Sequence, residues 1–133
     1  MIDIHPFPEA PLIEIHQGGK IAFAEPMPAY AVEDTQHAED ALAHVIQQNW
    51  FAVERAGEFD FWVYAATVIE LRDLLAEADA FAHNPPDEPA AVQEEELAAR
   101  VEELMRAAGE GVEVAYHDRV RIARMRPEPV TVV

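Results

Sequence analysis

The chain has 133 residues, half of them hydrophobic, and carries 26 acidic against 9 basic side chains, a formal net charge of −17. It contains neither cysteine nor serine, which excludes disulfides, thiolate metal ligands and nucleophilic catalysis by either residue. Because so much negative charge repels phosphates, we expect no direct binding to nucleic acid or to an anionic membrane.

The N-terminal third predicts an irregular start followed by a tight hairpin. Residues 1–11 contain three prolines and are expected to be an irregular lead-in. Leu12–Ile15 and Lys20–Ala24 are strand-like runs on either side of Gly18-Gly19, and paired glycines suit a tight turn. Pro26 then ends the second strand, because proline cannot donate to a strand ladder.

Three amphipathic helices are predicted. The first begins near Asp34 or Thr35, both good N-caps. The second starts at Thr67 and stops before residues 83–86, and the third runs from residue 88 to Ala108. The buried face of the first helix is expected to carry Ala38, Leu42, Val45, Ile46 and Asn49. That of the second is expected to carry Val68, Leu71, Leu74, Leu75, Ala78 and Phe81. That of the third is expected to carry Leu97, Val101, Leu104, Met105 and Ala108.

Two further hairpins are predicted from alternating apolar residues. Residues 50–64 are interpreted as two strands that meet at 56–58, and with the second helix they are the expected seed of the core. A second pair of strands is expected around His117-Asp118-Arg119. One face of the first hairpin would carry Phe51, Val53, Phe59, Phe61 and Val63.

The order of these elements, ββ-α-ββ-α-α-ββ, predicts an α+β fold, or a partial α/β fold. It would contain a mixed sheet, three main helices and the aromatic hairpin. The length favours one domain over residues 1–133, with 127–133 as a C-terminal tail. No apolar run approaches the ~18 residues of a membrane span and the start lacks a leader pattern, so we expect no membrane segment and a cytoplasmic protein.

The first helix carries a candidate metal site. Glu33, His37, Asp40 and His44 follow one another at intervals of four, three and four residues, which places them on one stripe. Imidazoles and carboxylates in this arrangement can hold a divalent metal. The stripe lies nearly opposite Leu42, so an ordinary solvent-facing surface is the competing interpretation.

Exposed aromatic residues suggest an interface. Trp50, Trp62 and Tyr64 would lie on the hairpin face away from Phe51, where either a helix covers them or they form a docking patch. An interface at these three residues is the sharpest functional hint in the sequence.

Two other clusters are given structural interpretations. Gly109-x-Gly111 follows a helix and precedes a strand, so it is a helix end and not a phosphate-binding loop. The arginines at 119, 121, 124 and 126 are half of the arginines in the chain. They are expected either to bind a carboxylate-rich partner or to offset the acidic helices.

Three segments resemble the C-terminal part of class I S-adenosylmethionine-dependent methyltransferases. Gln17–Pro28 resembles the stretch "GG-apolar strand-EP" of the fifth strand. Arg100–Gly109, with the two strands after it, resembles the closing helix and the last antiparallel strands. Phe59–Leu75 is similar to an aromatic strand and helix near the substrate. The resemblance implies that the cofactor-binding half is missing, since no strand–GxGxG–helix is encoded. It assigns no cofactor-binding or catalytic residue, and Glu25 and Pro26 receive no catalytic role.

The resemblance also implies an open sheet edge. A half sheet would leave the strand Lys20–Ala24 unpaired on the side of the missing strands, and an open apolar edge invites association. Either Leu12–Ile15 folds back over this edge or a second copy covers it. We therefore predict a homodimer, or pairing with another protein chain. The predicted interface residues are Ile21, Phe23, Trp50, Trp62 and Tyr64.

Together these features predict a non-catalytic, acidic protein-association module without a cofactor. The alternative is the substrate-side subunit of a split methyltransferase whose cofactor half is another chain. A small-molecule or metal-binding domain using His37 and His44 is a third hypothesis. An acidic mimic of nucleic acid is a fourth.

Overall fold

A computed structural model describes residues 1–6, 9–28, 32–78 and 88–129. In this part of the chain it has an α+β fold with three helices, as predicted. The strands are β1 (Ile2–Pro6), β2 (Leu12–Gln17), β3 (Lys20–Pro26), β4 (Phe51–Ala65) and β5 (Val112–Pro127). The helices are α1 (Val32–Gln47), α2 (Val68–Ala78) and α3 (Glu88–Ala108). None of these helices has the length and apolar character needed to cross a bilayer.

The strands form a five-stranded antiparallel sheet, so the predicted mixed sheet is wrong. The C-terminal strand β5 is central and pairs with β1, β2 and β4. The hairpin of β2 and β3 is confirmed, with Gly18 and Gly19 at φ values of 59° and 77° in its turn. In the sheet order β1-β5-β2-β3, the strand β3 is terminal.

Three local predictions are wrong because strand pairing overrides local turn preference. Residues 2–6 are not irregular, since β1 pairs with β5 from Ile2–Arg124 to Pro6–Val120. The aromatic hairpin is absent, since β4 runs unbroken through 56–58. Likewise β5 runs unbroken through 117–119, where a second turn was predicted.

Residue contacts divide the chain into two compact units. Unit 1 comprises Met1–Glu9, Ala31–Phe61 and Asp118–Val133, and unit 2 comprises Ala10–Tyr30 and Trp62–His117. Both β4 and β5 contribute residues to each unit. This division does not test the prediction of one domain over residues 1–133, which stays a prediction.

The core of unit 2 lies between one face of its strands and the two helices α2 and α3. Thr67 caps α2, since its Oγ1 accepts a hydrogen bond of 3.1 Å from the amide of Glu70. Gly109 ends α3 at a φ of 85°. Leu74, Leu104 and Ala108 are exposed, contrary to the prediction. The buried cluster is Ile13, Ile15, Ala65, Val68, Leu71, Leu97, Val101 and Val114.

Unit 1 buries Val120, Ala123 and Met125 of β5. The predicted apolar face of α1 is confirmed as half-buried at Leu42 and Val45. Asn49 was assigned to that face, but it lies after the helix in the left-handed conformation, at a φ of 57°. Val53 and Phe59, predicted to help seed the core, are exposed.

Some predicted features lie outside the described residues. These are the side chains of Asp34, Thr35 and Ala78, residue Phe81, the stop at 83–86 and the end of the C-terminal tail beyond residue 129.

Candidate functional site

The candidate site is built around Glu14, a carboxylate that is 1% exposed in the middle of β2. Successive side chains of a strand point to opposite faces. Ile13 and Ile15 belong to the core beneath the helices, so Glu14 and His16 lie on the opposite face of unit 2. Neither α2 nor α3 contributes to that face, which we call the open face.

Three side chains donate hydrogen bonds to Glu14. Its Oε1 lies 2.7 Å from Nε2 of His16 and accepts a bond of 3.1 Å from the indole nitrogen of Trp62. Its Oε2 lies 2.6 Å from Nδ1 of His117. An ionised carboxylate can only accept, so each imidazole donates from the nitrogen that faces it. The buried charge is therefore paired on both of its oxygens.

The pKa of Glu14 reflects two opposed effects. Burial disfavours the charged form and raises the pKa. The hydrogen bonds from His16, His117 and Trp62, with the charge of His117, outweigh burial and hold the pKa of Glu14 below its ordinary value. The carboxylate is thus an anion at neutral pH although it is almost entirely buried.

Aromatic rings from β4 lie above this carboxylate. Trp62 and Tyr64 alternate with Val63 and Ala65, which pack toward the core, so both rings lie on the open face. The indole of Trp62 stacks on His117 with ring centroids 4.4 Å apart. Tyr64 meets His16 edge to face at 5.2 Å. Trp62 remains 39% exposed and Tyr64 46% exposed.

A small residue occupies the position opposite the carboxylate. The register of β2 and β5 pairs Glu14 with Ala115, which is 0% exposed. Since β5 separates β2 from β4, the rings of Trp62 and Tyr64 reach the side chains of β2 across β5. A larger side chain at position 115 would occupy the space that these contacts need.

The edge strand β3 places the two remaining predicted interface residues of unit 2. The register pairs Ile21 with His16, which puts Ile21 on the open face, where it is 54% exposed. Phe23 pairs with Ile15 and is partly buried against the core. Near the end of the strand, Glu25 accepts a bond of 2.6 Å from Arg100 of α3.

A surface cavity of about 240 Å³ lies beside this ion pair. Pro26, Pro28 and Leu97 give it an apolar part, and Glu25, Gln93, Glu96 and Arg100 give it a polar part. It offers room for a small polar group and belongs entirely to unit 2.

Unit 1 has a second polar cluster, which the sequence did not predict. His5 is 7% exposed, and its ring nitrogens face Asp3 Oδ2 at 2.5 Å and Glu39 Oε1 at 2.8 Å. Arg121 donates to the second oxygen of Glu39 at 2.6 Å. The chain of contacts ties α1 to β1 and β5, so we assign it a structural role.

The predicted metal site gains no geometric support. Asp40 accepts a bond of 3.0 Å from Gln36, and His44 lies edge-on to Trp50 at 5.9 Å. His37 is exposed, and the side chain of Glu33 lies outside the described residues. Among the side chains that are described, no group of three histidines or acids is placed to hold a metal.

The remaining predicted residues lie in unit 1. Trp50 is 53% exposed just after α1. The four clustered arginines each face a carboxylate of the same unit, of which one belongs to a helix. Their partners are Asp60 for Arg119, Glu39 for Arg121, Glu54 for Arg124 and Glu128 for Arg126.

Sequence reasoning found Trp62 and Tyr64 but missed Glu14, His16 and His117. One signal was available: Glu14 and His16 alternate with two isoleucines, so they share the face opposite the core. His117 was assigned to a turn, and its position in a continuous strand brings it to Glu14 from 103 residues away.

The comparisons with known proteins returned no similarity: no family model matches the chain, and neither a curated protein nor a solved structure matches it significantly.

Proposed function

We propose that the chain is a non-catalytic protein-association module that pairs with a second copy through the outer edge of β3. Support comes from the place of this strand at the end of the sheet order. A terminal strand presents backbone donors and acceptors that another strand can pair with. Ile21 and Phe23 then belong to the pairing surface, as the sequence predicted.

The charges of β3 favour a second copy as the partner. The strand begins with Lys20, ends with Glu25 and Pro26, and has no charged residue between its two charged positions. Antiparallel pairing of two such strands brings Lys20 of each copy close to Glu25 of the other. A strand with this charge pattern is complementary to itself and suits a two-fold symmetric contact.

Light scattering tests this proposal through the mass of the particle in solution. The expected mass is twice the chain mass of 14.9 kDa. Ile21→Asp places a charge in the apolar middle of the strand and should give the monomer mass. Because Ile21 is 54% exposed, the variant should keep the circular dichroism of the parent chain.

A charge substitution at Lys20 provides the matched comparison. Lys20→Glu places like charges together at both ends of the pairing and should weaken the dimer. Arg55→Glu makes the same change in net charge at an exposed position of β4 in unit 1, and it should weaken the dimer less. A monomer at all concentrations, a dimeric Ile21→Asp variant, or equal effects of the two charge changes would reject pairing through β3.

The second candidate function is the substrate-side subunit of a split methyltransferase. Two residues of the resembling motif, Glu25 and Pro26, line the cavity of about 240 Å³ in unit 2. Calorimetry with S-adenosylmethionine, alone and with a candidate partner chain, tests this function. Binding only in the presence of the partner would favour it, and binding by the chain alone would overturn the association module. A cytoplasmic location is part of either proposal.

A further inference from the structure

The open face of unit 2 combines exposed aromatic surface with a buried negative charge. Trp62 and Tyr64 are neighbours on one face of β4. Trp62 donates a hydrogen bond to Glu14 and stacks on His117, and Tyr64 lies edge to face with His16. Every buried side-chain polar atom in the described part of the chain has a hydrogen-bond partner. A ligand for this face must therefore be recognised by the exposed rings and by the local field.

The exposed faces of these two rings attract cations. The faces of indole and phenol rings carry a negative potential, and indole binds cations best of the aromatic side chains. The indole N–H of Trp62 donates to the Glu14 carboxylate. Hydrogen bonding to an anion pushes electron density into the donor and makes the face of the ring more negative.

The whole chain adds to this preference. Its net charge of −17 raises the local concentration of cations and lowers that of anions around every exposed surface. An anionic or strongly hydrated neutral ligand gains nothing from such a site. A flat cation on an aliphatic stem gains from two effects, because it can lie on a ring face and is attracted by the negative charge of the chain.

We propose that Trp62 and Tyr64, above the buried Glu14, form a recognition site for a basic side chain, arginine or lysine, of a protein partner. The site is distinct from the β3 edge and does not depend on pairing between two copies. Guanidinium is the better fit, because it stacks on aromatic faces and is less strongly hydrated than an ammonium group.

The test uses an oligoarginine peptide and its neutral analogue oligocitrulline, which has nearly the same shape. Tryptophan fluorescence can report binding directly, because Trp50 and Trp62 are the two tryptophans of the chain. In the Trp50→Leu variant, Trp62 is the remaining indole. Its emission should change on addition of oligoarginine and stay constant with oligocitrulline.

Affinities measured by calorimetry then separate ring recognition from general attraction to an acidic protein. Trp62→Leu should weaken oligoarginine binding about fivefold or more, the size of one cation–π contact, and Trp50→Leu should leave it unchanged. Neither substitution alters the net charge. Tyr64→Leu should also weaken binding, whereas Tyr64→Phe keeps the ring and should retain it.

The tyrosine pair protects the test against misfolding, since Trp62 also donates to Glu14 and its loss disturbs the cluster. Equal affinity of all variants, or equal binding of oligocitrulline, would overturn the proposal. The same variants should keep the particle mass of the parent chain. Failure of pairing through β3 and failure of cation recognition are therefore seen in different measurements.

Discussion

Glu14 shows how a single residue determines the open face. An isolated carboxylate that is removed from water costs several kcal/mol, so it persists only when donors surround it. Here one carboxylate orients three rings, those of His16, Trp62 and His117. The same contacts that stabilise the anion hold the aromatic surface in place above it. Stability and the proposed recognition of cations therefore depend on the same residue.

Substitution Glu14→Gln should destabilise the fold by about 2 kcal/mol at neutral pH, because hydrogen bonds to a charged group are lost. The pKa of Glu14 is lower in the folded chain than its ordinary value of 4.5. Its stabilisation is hence complete above that value and is lost as the pH falls through the lower, folded-state pKa. Urea unfolding at neutral pH and at several values below pH 4.5 measures this difference.

Comparing the parent chain with the Glu14→Gln variant separates the effect of Glu14 from that of the other carboxylates, which both proteins share. The difference in unfolding free energy between the parent chain and Glu14→Gln should shrink as the pH is lowered. Glu103→Gln, on the exposed side of α3, should change stability by less than ~0.5 kcal/mol. A difference that stays constant down to low pH would show that the charge of Glu14 does not stabilise the fold.

A second prediction at the residue scale concerns the backbone of Asn49, which has a φ of 57°. After α1, the amide of Asn49 donates to Ile46 at 3.0 Å and that of Trp50 donates to Val45 at 3.1 Å, the pattern of a helix ended by a left-handed residue. Asn49→Ala should cost about 1 kcal/mol, because alanine disfavours this conformation. Asn49→Gly should be at least as stable as the parent chain in the same unfolding experiment, and a stable alanine variant would contradict the assignment.

At the scale of elements, the start of α2 is fixed by its cap. Thr67 Oγ1 accepts from the Glu70 amide, and the Glu70 carboxylate accepts a bond of 3.1 Å from the amide of Ala66. Thr67→Ala should therefore cost about 1 kcal/mol. Thermal unfolding measures the loss, and Thr67→Ser, which keeps the hydroxyl, should restore most of it. If serine and alanine are equally destabilising, the hydroxyl does not cap the helix.

The strands show which parts of the fold the sequence could predict. Phe51, Val53, Phe59, Phe61 and Val63 were assigned to one face of a hairpin, and they share a face of the unbroken β4 because all five positions are odd. The alternation of side chains is a local property, so the assignment of these residues to one face holds although the predicted turn is absent. Whether the chain turns at Gly57 depends on what β4 pairs with, and its partner β5 is far away in sequence.

The candidate site was harder to predict for the same reason. Trp62 and Tyr64 could be recognised as aromatic residues away from the core, because alternation is visible in the sequence. The contact between Glu14 and His117 needs the pairing of β2 with β5, which begins at Leu12–His117 and ends at Gln17–Val112. No local pattern encodes that register. The first strand, β1, was missed because its pairing with β5 joins opposite ends of the chain.

At the scale of the whole molecule, net charge decides how the two proposed surfaces respond to salt. Two copies that each carry −17 repel one another over a distance set by the ionic strength. The screening length falls from about 10 Å at 0.1 M salt to about 3 Å at 1 M. The exposed contacts between Lys20 and Glu25 contribute little, since surface ion pairs are worth about 0–1 kcal/mol.

Pairing through β3 should consequently become tighter as salt is added, because screening removes more repulsion than attraction. Binding of oligoarginine to the open face should become weaker, because there the long-range field is attractive. Sedimentation at a series of sodium chloride concentrations measures the first effect, and calorimetry at the same concentrations measures the second. Added salt should strengthen the dimer and weaken oligoarginine binding, so the direction of the salt effect distinguishes the two surfaces. A dimer that dissociates in high salt would mean that ionic contacts, and not the apolar strand edge, hold the two copies together.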